Sequence, residues 1–311
     1  MFKKFSISLL FSALIISAFI YGLTLGHYKF FPFYILQSVK SGEIFKSKTH
    51  QAEISEEGLF EETFIEADFS IPYKEIKSLG DDAVLMLHIF LPISFKANKT
   101  VIFLHGGGWR SGSAKKFFKI CDSLSKVGIG CASADYRIAS KHHTNPIHAL
   151  EDARHSIEFV RSNGDIFGLS TDNIWLGGTS AGGQLAAAVA MSTIPQYDIR
   201  PLALEGLILY DPVINVIDPS DFGYERIRHF PREFSPMQAK FTPKIPVLLQ
   251  IGSEDHHTSP EEAAAFVERF QNVGTDALLK VYDGEEHGWF DLNKENLEKT
   301  TNVVIEFLMQ N

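Results

Sequence analysis

Asn173-Ile174-Trp175-Leu176-Gly177-Gly178-Thr179-Ser180-Ala181-Gly182-Gly183-Gln184-Leu185 decides how the rest of the chain is read. An apolar run enters Gly-x-Ser-x-Gly (Gly178, Ser180, Gly182), and Leu185-Ala186-Ala187-Ala188-Val189-Ala190 continues as a helix. Small residues on both sides of Ser180 permit a sharp turn from strand to helix. Such a turn forces the serine into strained backbone geometry and lifts its hydroxyl off the sheet edge, with a helix N-terminus behind it. A Gly-rich connection without chemistry would also fit the pentapeptide alone. The flanking strand-turn-helix pattern and the partners found downstream favour a nucleophile.

Working outward, the stretches that follow Thr100 alternate between short apolar runs and helical periodicities. Thr100–Leu104, Leu204–Tyr210 and Val247–Gly252 read as buried strands, and Gly130–Ala134 and Leu278–Tyr282 as further strands. Helices are expected at about 113–126, 147–162, 260–273 and 294–309, besides the one after Ser180. Phe69–Tyr73 and Ala83–Pro92 form a first pair of strands, with Leu79-Gly80-Asp81-Asp82 as their turn. Alternating strands and helices imply an α/β fold: a mostly parallel sheet covered on both faces. Chemistry in such sheets gathers at the carboxyl ends of the strands.

Three further stretches sit at such ends. His105-Gly106-Gly107-Gly108-Trp109 follows the strand ending at Leu104. Three glycines let peptide N–H groups point at an oxyanion instead of joining a ladder. A phosphate loop is excluded, because no Gly-Lys-Ser/Thr follows and Gly-x-Gly-x-x-Gly is not completed. Ser253-Glu254-Asp255-His256-His257 follows the strand Val247–Gly252, and there Asp255 is the chosen acid with Glu254 as the alternative. Gly284-Glu285-Glu286-His287-Gly288-Trp289 follows the last strand and offers His287 as a base in a loop. The chain order is therefore serine, acid, histidine, with 75 and then 32 residues between them.

Composition narrows the field. With 45% apolar residues and 26 phenylalanines, 311 residues can fill a large core. A formal net charge of −9 with no Lys/Arg-rich patch argues against a nucleic-acid partner. The pairs His142-His143 and His256-His257 are a poor metal site, and no His-Glu-x-x-His occurs, so neither metal nor cofactor is expected. Cys121 and Cys131 lie among apolar residues and are expected as buried free thiols rather than a disulfide.

At the N-terminus, Lys3 and Lys4 precede the apolar run Phe5–Leu25, long enough to span a bilayer as a helix. Thr24-Leu25-Gly26 is a poor cleavage site, so an uncleaved anchor is favoured over a signal peptide. The expected organisation is an anchor over 1–26, a connecting, cap-like segment over 27–68, and a catalytic domain over 69–311. The aromatic patch Tyr28 to Tyr34 opens the connecting segment. The catalytic domain would lie on the non-cytoplasmic side, held at the membrane or exported after cleavage.

The combination of His105-Gly106-Gly107-Gly108-Trp109, Asp135-Tyr136-Arg137 with Ala149-Leu150-Glu151-Asp152, Gly178-Thr179-Ser180-Ala181-Gly182-Gly183 and the acid and histidine loops resembles the α/β-hydrolase superfamily. Within it, the likeness is to the hormone-sensitive-lipase-like and arylacetamide-deacetylase-like carboxylesterases, over residues 70 to 309. The resemblance implies Ser180 as nucleophile, His287 as base, Asp255 as orienting acid, and Gly107, Gly108 and Ala181 as oxyanion donors. It also implies a small-molecule ester substrate and no cofactor. Two departures blur the subfamily: Ile138 to His143 replaces the usual continuation after Asp-Tyr-Arg, and His256-His257 stands where proline is frequent in the acid loop. An amide or formamide hydrolase of the kynurenine-formamidase type, with the same triad, and a non-catalytic membrane-tethered binding protein remain as alternatives.

Overall fold

The computed structural model describes residues 65–77, 82–94, 96–230 and 232–311. The apolar run Phe5–Leu25, the aromatic patch after it, most of the cap-like segment and most of the turn expected at Leu79–Asp82 lie outside them. Among the described residues, no helix is long and apolar enough to cross a membrane.

Eight strands form one sheet in the order β1-β2-β4-β3-β5-β6-β7-β8. They are β1 (Phe69–Ile76), β2 (Ala83–Phe90), β3 (Thr100–Leu104), β4 (Gly130–Ala134), β5 (Ile174–Thr179), β6 (Gly206–Tyr210), β7 (Val247–Gly252) and β8 (Ala277–Tyr282). β1 and β2 pair antiparallel, and β2 meets β4 antiparallel. All remaining pairs are parallel. β3, β5, β6 and β7 are buried at every position, which is why each reads as an unbroken apolar run and not as an alternating one.

Alternate residues of the central strands serve two cores. Ile102 and Leu104 of β3 face a cluster with the helices α2 (Pro146–Asn163), α3 (Ala181–Met191) and α4 (Pro260–Asn272). Val101 and Phe103 face a second cluster with α1 (Phe118–Lys126) and α5 (Lys294–Gln310). Every residue of α3 is buried, so this helix has no polar face at all. α2 and α4 instead start with a proline behind a capping box, Asn145 with His148 and Ser259 with Glu262. Ile65 and Ala67, the end of the connecting segment, pack against the second core.

Three expectations need correction. The helix expected from 113 begins as a 3₁₀ turn, Ala114–Phe117, capped by the Ser113 hydroxyl, before α1 proper. The strand expected from Leu204 starts at Gly206. Cys121 and Cys131 are joined in a disulfide, with Cα atoms 5.1 Å apart and both side chains buried. The thiol expectation failed because α1 reverses through 127–129 onto β4, laying its second turn beside the start of that strand. Closing so short a loop contributes about 2–3 kcal/mol by the chain-entropy argument.

Candidate active site

The serine turn is built by backbone contact at the end of β5. Ser180 has φ 54° and ψ −122°, a positive-φ conformation that costs a non-glycine residue of order 1–3 kcal/mol. Its N–H donates to the Tyr210 carbonyl at 3.0 Å, and its carbonyl accepts from the Gln184 and Val213 N–H groups at 2.9 and 3.2 Å. The flanking glycines are needed for space. A Cβ on Gly182 would stand 2.1 Å from the Leu104 carbonyl oxygen, and one on Gly178 would stand 2.5 Å from the Gly182 backbone. The start of α3 is thereby pressed against the end of β3, with the serine at its N-cap.

Three chain-distant residues meet there. His287 Nε2 lies 2.9 Å from Ser180 Oγ, and His287 Nδ1 lies 2.8 Å from Asp255 Oδ2. The other oxygen of Asp255 accepts from the His257 and Thr258 N–H groups at 2.8 and 3.1 Å. Burial alone would raise the Asp255 pKa. The bond from His287, the imidazole's charge and the two backbone donors outweigh burial and hold the carboxyl below its ordinary range. Glu254 points to solvent, so the structure brings Asp255 and not Glu254 to the histidine. Thr258 Oγ1 donates to the Pro212 carbonyl at 2.8 Å and ties the acid loop to the segment after β6.

The glycine loop leaves the sheet after Leu104, the last residue of β3 in register with its neighbours. Gly107 and Gly108 have φ of 112° and 59°. Their N–H groups donate to no acceptor among the described residues, while the Gly107 carbonyl accepts from the N–H groups of Arg110 and Ser111 at 3.0 Å each. Ala181 opens α3, where a first-turn N–H has no partner within its helix. Beneath the loop, the buried His105 ring stacks on Tyr136 with centroids 4.2 Å apart, and the Tyr136 hydroxyl donates to the His105 carbonyl at 2.7 Å. Burial keeps the His105 pKa below its ordinary value. Among the described residues, no group of three or more His, Cys, Asp or Glu side chains is placed to hold a metal ion.

Four residues around this centre escape the motif reading. Asp211 directly follows β6, is almost wholly buried, and accepts from the Gly288 N–H at 3.0 Å. Burial pushes its carboxyl up to about 7, the Asp255 charge adds to the rise, and the His287 charge and the backbone donors oppose it. The rule that chemistry gathers at strand ends would have found it. His257 stands with its ring 4.3 Å from that of His287 and 3.9 Å from that of Phe222. Burial, with the charges of His287 and His256, lowers its pKa to about 4, so it is neutral at physiological pH. Arg226 places its guanidinium 5.8 Å from the Phe222 ring centroid and donates through Nη1 to the Gly108 carbonyl at 3.0 Å. Phe222 and Arg226 belong to an irregular connector between β6 and β7 that carries no periodic signal.

Residues 87–223 match the BD-FAE family model and residues 207–311 that of the prolyl oligopeptidase family. Esterase LipC of Mycobacterium tuberculosis is 29% identical over 74% of this chain and 63% of its own length. Arylacetamide deacetylase of Mus musculus is 28% identical over 51% of this chain and 43% of its own length. The chain thus spans less than two thirds of each of these curated relatives. Among solved structures, the propionate-bound Est2 esterase of Thermogutta terrifontis superposes with a TM-score of 0.67 at 26% identity, covering 78% of this chain and 93% of that one. These likenesses, added to the sheet order and to the serine turn at the end of β5, show the α/β-hydrolase fold, and the relatives and the solved structure that the chain resembles are named as esterases and as a deacetylase.

Proposed function

We propose that this chain hydrolyses carboxylic esters of small molecules through a covalent acyl-enzyme. The observation that carries the reading is the continuous hydrogen-bonded series Ser180–His287–Asp255, set beside two glycine N–H groups without an acceptor among the described residues. Ser180 Oγ attacks the acyl carbon as His287 Nε2 takes its proton, and the carbonyl π bond becomes an oxyanion facing the N–H groups of Gly107, Gly108 and Ala181. His287 returns the proton to the alcohol oxygen as the ester C–O bond breaks. Water then attacks the acyl-enzyme, again losing its proton to His287, and the acid leaves as Ser180 regains its hydrogen. Asp255 holds the imidazole in the tautomer with Nε2 free to accept and stabilises the imidazolium.

Short acyl groups are the first choice of substrate, in keeping with the propionate held by the Thermogutta esterase. A panel of p-nitrophenyl esters of rising acyl length, run beside a fluorophosphonate probe, tests the reading. Turnover and labelling on Ser180 are expected; a folded chain that neither turns over any ester nor reacts with the probe would be a binding protein.

We also propose that the domain works outside the cytoplasm, tethered by the apolar run Phe5–Leu25 behind Lys3 and Lys4. The Cys121–Cys131 disulfide supports this, since such bonds persist in oxidising compartments. Carbonate washing of membranes from cells expressing a C-terminally tagged chain should leave full-length protein in the pellet. A soluble, full-length cytoplasmic protein would overturn the assignment.

A further inference from the structure

The glycine loop carries two consecutive left-handed residues, Gly108 with φ 59° and Trp109 with φ 56°. The second is a bulky side chain in a conformation such residues rarely adopt, so its surroundings must hold it there. The backbone around it is fixed by hydrogen bonds: within the loop the Gly107 carbonyl accepts from the N–H groups of Arg110 and Ser111, and from farther along the chain the Ala139 N–H donates to the Trp109 carbonyl at 3.0 Å. The carbonyl of Gly108, between them, accepts from Arg226 Nη1. Trp109 is also gripped through its side chain. Its indole Nε1–H donates to Gln184 Oε1 at 3.1 Å, and Gln184 Nε2 donates onward to the Phe234 carbonyl at 2.6 Å. Gly223 lies so close to the indole that an added Cβ would stand 2.6 Å from it. Arg226, Phe234 and Gly223 all belong to the connector after β6, and Gln184 lies on α3 four residues past the serine.

We propose that Arg226 is a positioning residue for the oxyanion loop: by holding the Gly108 carbonyl, with Gln184 and the connector holding Trp109, it keeps the Gly107 and Gly108 N–H groups aimed at the acyl oxygen. A peptide plane turns as a unit, so freeing the Gly108 carbonyl frees the plane it shares with the Trp109 nitrogen and loosens the donor geometry one residue before it. The guanidinium is suited to the task because one N–H can engage the carbonyl while its flat face rests against the Phe222 ring. The connector thereby contributes to the transition state without touching the reacting atoms. The kinetic consequences rest on the esterase reading.

The test compares Arg226→Ala, Arg226→Gln and Arg226→Lys in the full chain, with uncharged and carboxylate-bearing esters, a fluorophosphonate probe, and amide hydrogen exchange of the peptide spanning 105–112. Arg226→Ala should lower kcat by roughly 10-fold to 30-fold for both ester types and leave KM within about twofold, because donors to the oxyanion matter most in the transition state. Phosphonylation should slow by a similar factor, and exchange over 105–112 should quicken. Arg226→Lys should recover most of the loss, Arg226→Gln less. A rise in KM confined to carboxylate-bearing esters, with kcat intact, would make Arg226 a substrate anchor and overturn the proposal. Unchanged exchange would overturn it too, and that readout stands even if the wild-type chain turns over no ester. A chain without ester turnover or labelling but with quickened exchange in Arg226→Ala would fail as an esterase and keep its clamp.

Discussion

Two regions meet at Ser180, and they are built on different principles. The strand ends of β3, β5, β7 and β8 deliver the glycine loop and the proposed nucleophile, acid and base from regular elements, of which β3, β5 and β7 are buried throughout and β8 is half-exposed. The connector between β6 and β7 delivers Asp211, Phe222 and Arg226 from irregular backbone broken by helical turns of three or four residues, with Arg226 in the turn Tyr224–Ile227. The first region fixes where the reacting atoms sit. The second fixes how the loop and histidine around them are held. Changes in the first should therefore cost reaction rate outright, and changes in the second should shift rate, stability or pH response by degrees.

The comparison breaks at once if Ser180→Ala retains activity. Loss of at least about 10⁴-fold in kcat is expected for a triad serine, with thermal stability unchanged or improved because a hydroxyl, not packing, is removed. Near-normal turnover in a preparation free of host esterases would sink the assignment. Next in size, Asp255→Asn should cost on the order of 10³–10⁴-fold, because an amide NH₂ facing Nδ1 favours the wrong histidine tautomer. Glu254→Gln, one residue away and exposed, should stay within about twofold of wild type. Equal losses from the two would show that the negative charge of the loop matters and the hydrogen bond to His287 does not.

That pair also shows what a sequence can and cannot disclose. The stretch Ser253 to His257 announces an acid at a strand end, yet nothing in its order separates Glu254 from Asp255. Register decides: β7 runs in step with β8 through Gly252 and Tyr282, and the next turn buries Asp255 and exposes Glu254. The scaffold was legible because buried parallel strands need unbroken apolar runs, and because a serine turn needs glycine on both sides. The disulfide was not, since Cys121 and Cys131 become neighbours only when α1 folds back along β4. Arg226 and Phe222 were beyond reach for a different reason. Irregular backbone has no period, and an arginine that bonds a carbonyl 118 residues away leaves no local mark.

The two glycines of the loop sharpen the contrast between rate and stability. Both have positive φ, so a side chain is strained at either. A Cβ on Gly107 would lie 2.2 Å from the Ser111 carbonyl oxygen, whereas one on Gly108 would meet the end of the Arg226 side chain at 2.4 Å. Backbone cannot yield and a side chain can. Gly107→Val should thus lower the melting temperature as well as kcat. Gly108→Ala should lose only the roughly 1–2 kcal/mol of an alanine held at positive φ, less than Gly107→Val, while losing about 10²-fold in kcat, comparable with losing one oxyanion donor. Full activity in Gly108→Ala would mean that the loop does not face the acyl oxygen.

The smallest effect belongs to Asp211, and its sign separates it from Asp255. Asp255 is held below its ordinary pKa, so it contributes stability above the unfolded value that is lost as pH falls through the folded one. Asp211 is displaced the other way, from 3.8 to about 7, chiefly by burial. Its relative stability is complete below the unfolded value and declines as pH rises, until the carboxyl is ionised above about 7. One carboxylate oxygen accepts from the Gly288 N–H, and the other has no partner among the described residues. Asp211→Asn keeps an acceptor for Gly288 and removes the buried charge. The variant should melt close to wild type near pH 4 and gain on it steadily toward pH 8, reaching about 2–4 °C for each kcal/mol relieved in a domain of this size. Unlike Asp255→Asn, it leaves the histidine tautomer alone, so its kcat is expected within roughly tenfold of wild type at pH 8. Melting curves of both proteins across that pH range decide the matter: a difference that does not change with pH would mean that Asp211 ionises at its ordinary value, one that shrinks as pH rises would mean that its charge is stabilised by a partner, and either would show that the connector's acid is not under the strain its burial implies.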